Sequence, residues 1–178
     1  LNAYTTKEKI CFYSSVLDKH FEKSFELLTD ITFHSVFPEK EIEKERGVIL
    51  EEMAMYLDTP EEAIVDEFDS VVFDGHSLGN NILGTKESVS RFSKQDFLDF
   101  INRNLSNNSL LFCSVSNLPF EKVVKIAEKY LSHIPFVQKQ RERSPFTTYQ
   151  PKTVTVEKPI SQAHCVLGCP AYALSDDR

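Results

Sequence analysis

The chain has 178 residues, of which 41% are hydrophobic and 26% charged, and a formal net charge of −7. This composition is typical of one globular domain, or of one domain and part of a second. The acidic balance argues against a general nucleic-acid binder. No apolar run reaches about 18 residues, which argues against a membrane-spanning helix.

No signal peptide is visible in the sequence. The chain begins at Leu1 rather than Met, and it ends at Arg178 without a closing element. We therefore expect both ends to be cut, which leaves room for a lost targeting segment. The expected location is cytoplasmic, or periplasmic if an upstream signal was removed.

The first half of the chain is predicted to contain one strand and three helices. Residues 9–17 are rich in β-branched and aromatic residues, which predicts a strand, and Asp18 follows as the N-cap of a helix. The apolar residues of this helix recur at helical spacing: Phe21, Phe25, Leu28 and Ile31. Pro38 opens a second helix that should run to about Tyr56, and Pro60 opens a third.

The second half is predicted to alternate helices and strands after a glycine-punctuated loop at residues 74–85. A helix capped at residues 93–96 and a helix over residues 119–131 are expected. The predicted strands cover residues 109–115, 152–157 and 162–168. Residues 135–151 lack an apolar period and look like a linker. The class is therefore α/β, with long helices packed on one sheet whose strand order stays open.

Four cysteines are present at positions 11, 113, 165 and 169. The apolar, strand-like surroundings of the first three favour buried free thiols. Cys165 and Cys169 are separated by three residues rather than the two of most zinc and redox motifs. We therefore predict neither a disulfide framework nor a structural zinc site.

The second helix carries the most informative pair of residues, Glu45 and Glu52. They lie seven residues apart, which is close to two helical turns, so they share one side of the helix. Val48 and Ile49 lie on that side too, which points the acids toward the interior. A buried carboxylate is costly unless it is paired or holds a metal. The alternative is that both acids are solvated or pair with a neighbouring cation.

Several of these segments occur in the order of one known family: residues 1–6, the Glu-x6-Glu helix, the loop pieces 77–79 and 82–85, and the final strand–helix unit. The chain resembles the pitrilysin/insulysin-family zinc metallopeptidases over nearly its whole length, and most closely the mitochondrial-processing-peptidase-like bacterial proteases. The resemblance implies an α+β half-domain with a mixed, mainly antiparallel sheet covered on one face by long helices. It also implies a peptidase unit at 1–134, a linker at 135–151 and the start of a related subdomain at 152–178.

The resemblance also implies roles for individual residues. Family members hold zinc through two histidines of an H-x-x-E-H motif and a glutamate on a later helix. By motif match Glu52 would be that third ligand, and Glu45 would support the histidine side. Asn2, Ala3 and Thr5 would lie on the strand against which a peptide substrate pairs. Zinc in such a site lowers the pKa of a bound water and polarises the scissile carbonyl.

The sequence departs from the family at one decisive point, since it contains no H-x-x-E-H. Its five histidines are His20, His34, His76, His133 and His164, and no two are four residues apart. We therefore expect zinc in a parent protein but none held with catalytic geometry by this chain, which should cleave nothing alone. The histidines are expected to serve packing and surface roles.

Three hypotheses remain open: a piece of a zinc endopeptidase, a non-catalytic family member that serves an active subunit, or an unrelated α/β domain with solvated glutamates. Retention of both Glu45 and Glu52 favours the first. The expected partners are a peptide or protein substrate and a second half-domain or partner subunit, with no nucleic acid and no membrane. An unpaired edge strand would also favour a homodimer.

Overall fold

The computed structural model describes residues 1–105, 109–134 and 144–172. These residues form two strands, β1 (Asn2–Thr5) and β2 (Ile10–Tyr13), and six α-helices. The helices are α1 (Phe21–Phe33), α2 (Glu39–Leu57), α3 (Pro60–Val72), α4 (Lys86–Arg91), α5 (Lys94–Asn104) and α6 (Phe120–Leu131). The predicted mixed class of helices with antiparallel strands is confirmed.

The strands form an antiparallel hairpin at the start of the chain. Its register pairs Asn2 with Tyr13, Ala3 with Phe12, Tyr4 with Cys11 and Thr5 with Ile10. The turn between the strands closes with a 2.8 Å hydrogen bond from the Thr6 N–H to the Lys9 carbonyl. The predicted strand over residues 9–17 is therefore present but shorter.

The chain folds into two compact units, and the first comprises residues 1–43 and 92–142. Within its described residues α1 packs against α6. Phe25 is only 6% exposed and meets the rings of Phe112 and Tyr130, with centroid separations of 4.8 and 5.9 Å. Ile126 of α6 is also buried. The apolar stripe predicted for α1 therefore contributes to this core, together with α6.

The second unit comprises residues 44–91 and 143–178. Ala63 and Val72 of α3 and Val89 of α4 are its buried apolar residues within the described part. Two ion pairs hold residues 152–158 to the α3 region: Lys152 contacts Asp74 at 2.8 Å, and Lys158 contacts Glu67 at 2.6 Å. The Lys152 ammonium holds the pKa of the Asp74 carboxyl below its usual value.

The three later predicted strands are wrong for the described structure. Residues 110–115, 152–157 and 162–168 contain no regular strand, and Leu111 and Leu167 are 84% and 97% exposed. A strand is stable only when a neighbour accepts and donates its backbone hydrogen bonds. No such neighbour lies among the described residues, so β-forming composition alone does not produce a strand.

Three local expectations also need correction. Asp18 begins a short 3-10 turn (Asp18–His20) rather than capping α1. A glycine inside a helix is costly, which predicts close approach of another backbone, but Gly47 has open space around its Cβ position and no other described backbone approaches it. The free cysteines are not buried, since Cys11 is half-buried and the other three are exposed. The predicted linker at 135–151 lies largely outside the described residues, because 135–143 are not described.

Within the described ranges, no helix has both the length and the apolarity that a bilayer crossing requires.

Candidate functional site

Helix α2 carries the two predicted acidic residues, and both are exposed. The half-buried residues of the helix mark the side on which it packs: Ile42, Arg46, Ile49, Leu50, Met53 and Tyr56. At about 100° per residue, Glu45 and Glu52 point within about 20° of each other. They lie roughly 75–95° from the middle of the packed side. The expectation that these carboxylates face the interior is therefore wrong, and the solvated alternative is confirmed.

Two side chains fix this part of α2 to its neighbours within the second unit. The Arg46 guanidinium donates a hydrogen bond to the Val89 carbonyl in α4. The Tyr56 hydroxyl donates to the Glu62 carbonyl in the first turn of α3 at 3.3 Å. Burial and the nearby Asp66 carboxylate raise the pKa of Tyr56, so this hydroxyl stays protonated and able to donate. The exposed edge of α2 is thus presented by an anchored helix.

Neither Glu45 nor Glu52 forms an ion pair with another described residue. Glutamate oxygen is an accepted zinc ligand, so an exposed carboxylate fits as one member of a ligand set. Within residues 1–105, 109–134 and 144–172, however, no three His, Cys, Asp or Glu side chains come together as a metal site. The donor set that these residues offer to zinc is therefore incomplete.

The strand β1 belongs to the first unit, and all four of its residues are exposed. The Thr6–Lys9 hydrogen bond fixes the ladder, because hydrogen-bonded and non-hydrogen-bonded pairs alternate in an antiparallel pair. Ala3 and Thr5 are then the non-bonded positions, and their backbone N–H and C=O groups point away from β2. In agreement, the Ala3 N–H donates to the side-chain oxygen of Asn2 at 2.8 Å. This edge of β1 can therefore accept a further strand.

The histidines are not gathered into a cluster within the described residues. The His76 ring accepts a hydrogen bond from the Leu78 N–H at 3.2 Å and lies 3.0 Å from the Ser144 carbonyl, so it joins two loops. His34 lies 3.4 Å from Asp30 and stacks on His133 with a centroid separation of 5.9 Å. These contacts agree with the packing and surface roles that the sequence predicts.

Sequence reasoning missed Arg46 as an anchor because it missed α4. A local signal for α4 does exist. The Thr85 hydroxyl accepts a hydrogen bond from the Ser88 N–H at 3.1 Å, and the Ser88 hydroxyl accepts one from the Thr85 N–H at 2.9 Å. This reciprocal pair is a capping box with serine in place of the usual Glu or Gln. A search for Thr-x-x-Ser caps would have found this helix.

Two protein-family models match this chain. Residues 1–86, which include β1 and α2, match the family model described as insulinase (peptidase family M16). Residues 91–178 match the model described as the peptidase M16 inactive domain. Together the two matches cover nearly the whole chain, and the chain belongs to peptidase family M16. The domain boundaries predicted at residues 135–151 stay a prediction.

Individual relatives carry names of the same kind. An uncharacterized zinc protease of Rickettsia felis is 36% identical over 169 residues, which cover 94% of this chain and 40% of the relative. An uncharacterized zinc protease of Bacillus subtilis is 31% identical over 180 residues, which cover 100% of this chain and 43% of the relative. A probable mitochondrial-processing peptidase subunit beta of Schizosaccharomyces pombe is 31% identical over 134 residues, 75% of this chain and 29% of the relative. The chain therefore spans less than half the length of these relatives.

Proposed function

We propose that this chain is part of a zinc-dependent metalloendopeptidase, to which it supplies the third zinc ligand, Glu52, and a strand for substrate pairing. The observation that carries the proposal is the exposed Glu45–Glu52 edge of α2. It lies within the stretch that matches the insulinase family model, and relatives over that stretch are named zinc proteases.

On this proposal each residue has a definite task. Glu52 presents a carboxylate oxygen as one ligand, and Glu45, two turns earlier, orients the histidine ligands that the longer protein would supply. The outward backbone groups of Ala3 and Thr5 pair with a peptide drawn into an extended conformation, beside Asn2. Zinc, when bound, supplies the Lewis acidity that polarises the scissile carbonyl. The chain alone lacks the histidines and the general base, so we propose that it is inactive.

The first experiment is to sequence the coding DNA immediately upstream of Leu1. An in-frame H-x-x-E-H supports the proposal, and a degraded motif contradicts it. The purified 178-residue chain is then assayed for zinc and for peptide turnover. We expect neither, and a zinc stoichiometry near one together with turnover would show that the chain is active without an upstream motif.

The role of Glu52 is tested in the longer protein by substitution. Glu52→Gln removes the charged ligand while keeping the shape of the side chain, so zinc content and turnover should both be lost. Glu45→Gln should weaken zinc binding by about 10- to 100-fold, which is typical of residues that orient metal ligands. Glu51→Gln changes an exposed neighbour on another side of α2 and is the matched control. Full zinc content and turnover in Glu52→Gln would refute the assignment.

A second candidate is a non-catalytic member that serves an active partner subunit. It is favoured by the match of residues 91–178 to the model described as an inactive domain, and by the relative that is named as a subunit. Co-purification of a zinc-containing protein, whose activity rises when this chain is added, would support this candidate over the first.

We also propose that the isolated chain self-associates through its unpaired apolar segments. Leu111, Val154, Val156 and Leu167 are each more than half exposed in segments whose composition favours strands. Static light scattering over a range of concentrations should show a mass above 20.4 kDa at high concentration. A monomeric mass throughout that range would contradict self-association.

A further inference from the structure

The side chain of Arg46, which lies in α2, forms a hydrogen bond with helix α4. The Arg46 guanidinium donates to the carbonyl of Val89, whose side chain is buried in the second unit. Arg46 itself is half-buried on the packed side of α2. The contact therefore joins a fixed point of the core to the middle of the helix that carries Glu45 and Glu52.

The carbonyls at the C-terminal end of α4 require hydrogen-bond donors from outside the helix backbone. The last four carbonyls of any helix lack a partner within the helix, and α4 is only six residues long. The Arg91 Nε donates to the Glu87 carbonyl at 3.2 Å, but that carbonyl precedes these four, so Arg91 satisfies none of them. Arg46 satisfies the Val89 carbonyl. A planar guanidinium supplies several donors in fixed directions, which suits it to this role better than an ammonium.

The position of Arg46 on the helix separates the anchor from the carboxylates. Arg46 follows Glu45 directly and precedes Glu52 by six residues, so it points about 100–120° away from both. The anchor can therefore resist rotation of α2 about its own axis without occupying either carboxylate. Tyr56, which is tied to α3, resists the same rotation four residues beyond Glu52.

We propose that Arg46 is a positioning residue that keeps Glu45 and Glu52 on the exposed edge of α2. The role rests on the proposed function, because it concerns where the zinc-ligand carboxylate points. Loss of the anchor frees α2 to rotate and leaves the Val89 carbonyl without its donor. Both effects act at a distance from the ligand and leave its chemistry unchanged.

The test uses Arg46→Met, Arg46→Lys and the control Lys44→Met, which removes an exposed cation beside Glu45. In the 178-residue chain, Arg46→Met should speed amide hydrogen exchange in residues 86–91 by about 2- to 12-fold, the loss of one hydrogen bond. In the longer protein it should weaken zinc affinity and lower kcat by about tenfold or more, with KM unchanged. Arg46→Lys should recover part of both losses, and Lys44→Met should resemble the wild type.

Three results would overturn the role of Arg46. The first is wild-type zinc affinity and kcat in Arg46→Met. The second is an equal loss in Lys44→Met, which would assign the effect to charge alone. The third is unchanged exchange in α4, which would show that the anchor does not hold that helix. If the wild-type longer protein neither binds zinc nor hydrolyses peptides, the proposed function fails and the role at the site fails with it. The exchange experiment would then still report whether the anchor exists.

Discussion

Replacing Gly47 with alanine should stabilise the protein. Gly47 lies eight residues inside α2, and a Cβ built on it meets no described atom within 4 Å. Its φ is not in the left-handed region, so alanine fits the existing backbone. Glycine in a helix interior is less favourable than alanine by about 0.5–1 kcal/mol, partly because the unfolded chain loses freedom on substitution. The free energy of unfolding should rise by about that amount.

The measurement is urea unfolding monitored by the helical signal in far-ultraviolet circular dichroism. Gly47→Ala should raise the midpoint without changing the slope, and it should raise the melting temperature by about 1–4 °C. Gly79→Ala is the matched contrast, because its Cβ would lie 2.8 Å from the Phe73 carbonyl oxygen. A backbone atom cannot move aside cheaply, so this variant should lose about 1 kcal/mol or more.

A fall in stability for Gly47→Ala would refute this reasoning and show that another segment packs on the glycine. The same substitution in the longer protein tests whether a segment outside the 178-residue chain packs on the glycine. Stabilisation of the 178-residue chain together with destabilisation of the longer protein would restore the close approach that the sequence predicts, with a partner outside the described residues.

Two further predictions concern the first unit. Phe25→Ala removes a buried ring with three aromatic neighbours and should lower the free energy of unfolding by about 3–5 kcal/mol. Leu27→Ala changes an exposed position of the same helix and should lower it by less than about 1 kcal/mol. Equal losses in urea unfolding would contradict the assigned core. The Lys129 ammonium, 2.7 Å away, lowers the pKa of Glu22, so this pair stabilises the fold above the ordinary carboxyl pKa and the contribution disappears as pH falls through the lowered value. Unfolding curves between pH 3 and 6 should therefore show a weaker acid dependence for Glu22→Gln than for the wild type.

The helices were predictable because their signals are local. Pro38 and Pro60 mark the starts of α2 and α3, and the Ser93 N–H and hydroxyl both donate to the Asp96 carboxylate at the start of α5. Such caps act within a few residues, so they can be read from the sequence. Composition is a weaker guide to strands: it located β2 within residues 9–17, but it also predicted three later strands that do not form among the described residues. Residues 109–115 have β-forming composition, but a strand also needs a partner that its own sequence does not specify.

The candidate site shows the same division between local and tertiary information. Spacing alone places Glu45 and Glu52 on one side of α2, because that depends only on helical geometry. Which side is buried depends on the neighbours of the helix. Val48, which the sequence predicts on an inward side, is 50% exposed, whereas Arg46 lies on the packed side. Periodicity therefore predicts angles between residues but not their direction relative to the core.

Anchoring on one side and exposure on another fit the proposed function, in which α2 contributes one part of a metal site rather than forming the site alone. A single hydrated carboxylate does not hold zinc, because tight binding needs three or four ligands on fixed supports. Arg46 and Tyr56 supply the fixed support, while Glu45 and Glu52 stay accessible to ligands carried elsewhere. On the proposed function, the packing of α2 already holds the glutamate ligand in place, so zinc binding does not have to order it. Under that proposal, histidine ligands from outside this chain would need only to approach an edge that is already in place.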